Sequence, residues 1–150
     1  MGNKKKLIIL IVILIVVAAG LLIFAQIKHK KTAKVVPPGT AVYAPAGQVV
    51  SGFPKELILE PNIQASQSYS INYASSTNLY TVQWNSTKPI ADIYNEYLQY
   101  LQVNGWKITN KMTSNPTLRE LYAVKPSAQA NVSIVVKGTG SEITIGYLAQ

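Results

Sequence analysis

The residues able to do chemistry are few, and they are poorly placed for it. The single histidine, His29, sits among Lys28, Lys30 and Lys31, and the 150 residues contain no cysteine. A Ser-His or Cys-His pair, a two-histidine metal set and any thiolate site therefore lack members in the C-terminal two thirds of the chain. Asp92 and Glu96 are four residues apart, which on a helix is one turn, a spacing that a general acid–base pair could use. Facing away from an apolar stripe, the same spacing reads as the solvated side of an amphipathic helix. Glu56, Glu60, Glu120 and Glu142 are scattered. Gly138-x-Gly140 reads as a hairpin turn, because no helix follows it to hold a phosphate. The expectation is no enzyme: no catalytic, cofactor-binding or metal-ligating residues, and no cofactor.

What remains is recognition chemistry. The C-terminal part is rich in Tyr, Ser, Thr, Asn and Gln and poor in charge, and stiff amphipathic rings among adaptable polar groups suit a contact surface. Tyr73, Tyr80, Tyr100 and Tyr122 are the candidates for such a surface. Trp84 and Trp106 are assigned to packing, since alternating aromatics in strands usually are. Asn85-Ser86-Thr87 and Asn131-Val132-Ser133 match the glycan-acceptor pattern, at a frequency that ten asparagines in a Ser/Thr-rich chain produce by chance.

These side chains need elements to hold them. Ile90, Ile93, Tyr94, Tyr97, Leu98 and Leu101 follow i, i+3, i+4, i+7 spacing and predict a helix from Pro89 to Val103. Pro89 suits its first turn, and Gly105 in Asn104-Gly105 suits the left-handed position that ends it. Around it the period is two: Tyr69, Ile71 and Tyr73, then Tyr80, Val82 and Trp84. Four further strands are predicted at Trp106–Met112, Leu118–Lys125, Asn131–Lys137 and Glu142–Leu148, with turn sequences between them. The expected fold class is α+β: an N-terminal transmembrane helix, then a small antiparallel sheet of order ββαββββ with one helix packed on one face.

The transmembrane helix is the uncharged run Leu7–Ala25, a signal anchor of nineteen residues, fifteen of them Leu, Ile, Val or Phe. At about 1.5 Å per residue it spans roughly 28 Å, near the ~30 Å of a hydrocarbon core. Lys4, Lys5 and Lys6 flank one side and Lys28, Lys30 and Lys31 the other, so the flanking charge nearly ties on orientation. Lysines directly after the run favour retention over cleavage. The expected organisation is a basic tail at 1–6, the span at 7–25, a basic then Pro/Gly-rich linker at 26–52, and an α+β domain at 53–150. Seven of the fourteen basic residues precede Val50 without an acid, leaving the domain nearly neutral with Arg119 as its one arginine, and nucleic-acid binding is not expected.

Four short stretches carry a resemblance: Phe53-Pro54-Lys55-Glu56-Leu57, Tyr80-Thr81-Val82-Gln83-Trp84, Ile93-Tyr94-x-x-Tyr97-Leu98, and Asn104-Gly105-Trp106. In these the chain resembles a loose group of uncharacterised bacterial single-pass membrane proteins with a small C-terminal α+β domain. The resemblance implies an anchored domain of that kind and carries no activity or functional residue with it. The expected function is a non-enzymatic, membrane-tethered binding or scaffolding domain. Its expected location is the cell membrane, single-pass, with the domain displayed outside. Its partners would be membrane lipid through residues 7–25 and a protein or envelope component. The alternative is an accessory subunit of a membrane complex recruited through its transmembrane helix. A pilin-like subunit is disfavoured, since no pilin-type processing site or early acidic residue marks the apolar run.

Overall fold

The structure, a computed structural model, describes residues 37–74 and 77–150. The predicted tail and span, and the lysines that flank the span, lie outside the described residues. Among the described residues, no helix is long and apolar enough to cross a membrane. Pro37–Gln150 form one compact unit.

The predicted helix forms as α1, Ile90–Val103. Pro89 proves to be its N-cap rather than its first helical residue, because ψ of 150° holds it extended while its carbonyl already accepts from Asp92 and Ile93. At the other end Gly105 takes φ 75°. Its N–H reaches Gln102 O and that of Trp106 reaches Leu101 O, a Schellman ending that satisfies the last carbonyls. Ile93, Tyr94, Tyr97 and Leu101 are buried along one stripe of this helix.

Among the described residues, seven strands form a single antiparallel sheet: β1 Ala41–Tyr43, β2 Ala65–Ala74, β3 Thr77–Ser86, β4 Lys107–Met112, β5 Leu118–Lys125, β6 Ala128–Lys137 and β7 Gly140–Ala149. Their order across the sheet is β1-β2-β3-β7-β6-β5-β4. The chain leaves β3 in mid-sheet and runs through α1 to the far edge. It then returns strand by strand until β7 closes against β3. The α+β class stands, with one strand more than predicted.

The extra strand lies in the expected linker. Ala41–Tyr43 pairs with Tyr69–Ile71, Gly47 bridges Ala65, and Val50 is buried, its N–H donating to Ser68 Oγ at 2.9 Å. Residues 37–52 therefore belong to the folded unit. Their Pro/Gly-rich composition serves tight turns instead of an extended spacer. Gly52 shows why: its φ is 91°, and an added Cβ would sit 2.9 Å from the Tyr80 ring.

One face of the sheet carries the core. Val82, Trp84, Leu121, Val132, Ile134, Ile143 and Ile145 alternate along their strands, and all are at most 1% exposed. α1 lies against β4, β5 and β6, while Val50, Phe53 and Leu57 join the same cluster. Two polar ties lock this cover in place. Tyr97 Oη donates to the carbonyl of Leu57 at 2.9 Å, and Glu60 accepts from Trp84 Nε1 at 2.8 Å and Ser86 Oγ at 2.6 Å.

Candidate functional site: the uncovered face of the sheet

Side chains alternate between faces, so each residue between core positions points the other way. The pairing register arranges these outward residues in rows. One row runs Ala41, Ile71, Leu79, Leu148, Gln129 and Val124; the next runs Tyr43, Tyr69, Thr81, Gly146, Asn131 and Tyr122. These two rows lie at the end of the sheet where Pro37 enters, the proximal end. A third row, Gln67, Gln83, Thr144, Ser133 and Glu120, is wholly polar. The outward face is thus split, apolar and aromatic proximally, polar distally.

At its centre is a cleft of about 240 Å³, floored at Gly146 and walled by Leu79, Leu148, Tyr122, Val124 and Asn131. On β3, β7 and β6 the only charges of this face are Glu142 and Lys137, which pair with each other at the distal end. The cleft can take an uncharged, partly apolar group and offers amide and hydroxyl groups at its rim. Its volume falls below the roughly 300–1,000 Å³ of small-molecule pockets, so it suits one or two side chains.

The four predicted tyrosines are not brought together. Tyr122 lines the cleft, 37% exposed, its hydroxyl 3.3 Å from Glu120 Oε2. Tyr73 is 52% exposed at an irregularity near the end of β2. Tyr80 lies on the covered face, its ring 6.2 Å from that of Tyr147 and against Gly52, so it packs rather than recognises. Tyr100 is half-buried on α1 beside Leu59, Glu96 and Val103, on the other side of the molecule, and burial followed by nearby Glu56 pushes its phenol up. Trp84 and Trp106 are packing residues as expected; Lys125 Nζ lies 4.7 Å from the centroid of the Trp106 ring.

Of Asp92 and Glu96, one turn apart on α1, Glu96 has a basic partner. Glu96 binds Lys88 Nζ at 2.7 Å, and that contact chiefly holds the Lys88 ammonium above its ordinary pKa. Among the described residues, no group of three or more His, Asp or Glu side chains could hold a metal ion. Sequence reasoning missed Tyr43, Tyr69, Thr81, Asn131 and Gly146. The signal was there in the residues between the core positions of β6 and β7, which include a glycine and a leucine where solvent-facing polar groups would be ordinary.

Fold and face together define a small α+β domain with one sheet face buried and one free. A family model described as START domain-like matches residues 64–141, just over half of the chain, and the chain belongs to that family. The match takes in β2 to the start of β7 with α1. It supports a small domain and does not extend to the single-pass architecture of the bacterial group named above. No curated protein and no solved structure matches the chain.

Proposed function

We propose that the chain is a non-enzymatic binding or scaffolding domain, tethered to the cytoplasmic membrane through residues 7–25 and displayed outside it. Its binding surface is the uncovered face of the sheet. The observation that supports this is the charge-free centre of that face, with apolar and tyrosine rows around a cleft sized for side chains. Exposed apolar surface of this kind, rimmed by polar groups, marks interaction sites. Its partner is a protein or another envelope component. The folded unit begins at Pro37, so eleven residues, 26–36, follow the expected span.

The test uses the full chain in its own membrane. Reporters fused to Gln150, one active only outside and one only inside, decide the display: an outside signal is expected, and an inside signal would make the domain a cytoplasmic adaptor. Gly146→Arg then decides the surface. Extracted in mild detergent, the wild type should migrate as a complex larger than one chain and the variant as a single chain. Equal mobility of the two would count against this face.

A further inference from the structure

Two observations on the uncovered face converge at Gly146. A glycine inside a strand weakens it, and where the fold does not require it, it marks a close approach by another backbone or a ligand. The fold does not require it here, because its φ is not in the left-handed region and an added Cβ would meet no heavy atom within 4 Å. At Gly140, by contrast, a Cβ would collide with the carbonyl of Ser86. The make-up of the rows around it is the second observation: Tyr69 and Tyr122 stand two strands to either side of Gly146, and Ile71 and Val124 two strands to either side of Leu148.

We propose that two copies of the chain pack sheet against sheet through this face, about a two-fold axis that runs along β7 and passes over Gly146. β7 is the middle strand of the seven. Rotation about an axis parallel to it keeps every row at its own level and exchanges left for right. β3 then faces the partner's β6, and β2 faces the partner's β5. In the Gly146 row this sets Tyr69 opposite the partner's Tyr122, and Thr81 opposite the partner's Asn131. In the neighbouring row it sets Ile71 opposite the partner's Val124 and Leu148 beside the partner's Leu148. Ring meets ring, and aliphatic meets aliphatic. The glycines at the axis let the two sheets approach where the cleft would otherwise stay open.

Charge and area favour a second copy over a lipid surface. Headgroup attraction needs Lys or Arg, and on the middle strands of this face the only such residue is Lys137, already paired. A sheet of this width and strand length presents a face of about 900 Å², against the roughly 800 Å² per partner of a standard interface. This geometry also leaves both proximal ends on one side, as two chains anchored in one bilayer require, and that point rests on the tethered reading. Sharing a bilayer raises effective concentration, so even a weak contact would be populated.

The absence of cysteine makes the test clean. Full-length chains carrying Gly146→Cys, Asn95→Cys on the solvent side of α1, or the pair Tyr69→Cys with Tyr122→Cys are treated in washed membranes with a short bis-maleimide. The expected product is a species of twice the chain mass from Gly146→Cys and from the tyrosine pair. Asn95→Cys and each single tyrosine variant should give little of it. Gly146→Cys yielding no more than Asn95→Cys, with the tyrosine pair also silent, would overturn the proposal. So would a product containing a different protein, although that outcome would keep the face as a binding surface. Recovery of the chain in the soluble fraction would defeat the tethered reading, and the cross-links would still decide this one.

Discussion

Tyr97 ties the middle of α1 to the short helical turn Lys55–Leu57 by one hydrogen bond, Oη to the carbonyl of Leu57. Replacing it with Phe keeps the ring and orphans a buried carbonyl, so Tyr97→Phe should lower stability by about 1–3 kcal/mol in urea titrations. Burial, the main cause, pushes its phenol above the ordinary value near 10. A folded-state pKa raised above the unfolded value means that the unfolded chain releases its proton first. Stability is therefore fully present below about pH 10 and falls as pH rises beyond it, and Tyr97→Phe should flatten that fall. Gly146 predicts the opposite sign of effect. Gly146→Val adds a side chain suited to a strand in open space, so a dilute, monomeric chain should gain about 0.5–1 kcal/mol. Loss of stability in that variant would mean that the strand itself needs the glycine. None of this was visible from residue types alone. Tyr80 and Tyr122 look alike in the sequence, and only strand parity and the cover from Val50–Leu57 put one in the core and the other at a cleft.

At the scale of elements, local signals were legible and non-local ones were not. Gly105 could be read as the helix end because a left-handed residue there has a local steric reason. Gly105→Ala should cost about 1 kcal/mol, read as an earlier urea midpoint with unchanged slope. The β5–β6 and β6–β7 hairpins were equally legible, with Pro126-Ser127 and Gly138-Thr139 between alternating runs; β5 has the bounds expected, while β6 begins three residues earlier and β7 two residues earlier than the pattern indicated. Closure of β7 against β3 joins residues more than fifty positions apart, and no local pattern encodes it. β1 was missed for a related reason. Three residues flanked by Pro and Gly carry no periodicity of their own and become a strand only because the edge of β2 is there to pair with. The uncovered face is a property of strand order as well: Tyr69, Thr81, Gly146, Asn131 and Tyr122 form a row only after the strands are placed side by side.

For the whole molecule, the uneven charge is the most informative feature of the composition. The lysines that give the chain its net charge of +8 cluster before residue 35, and the folded unit is almost balanced. A nearly neutral domain whose free sheet face carries no charge at its centre offers little to attract nucleic acid or anionic lipid. If that contact occurs beside a membrane, a single labelling experiment reads both parts of the account. Intact cells producing full-length Asn95→Cys or Gly146→Cys are exposed to a membrane-impermeant maleimide, and the rates are compared with those after dilution into detergent. Asn95→Cys is expected to label rapidly without lysis. Gly146→Cys should label several-fold more slowly on the cell and catch up once the chains are dispersed. Equal rates at the two positions before dispersal, or no labelling of either until the cells are broken, would contradict it.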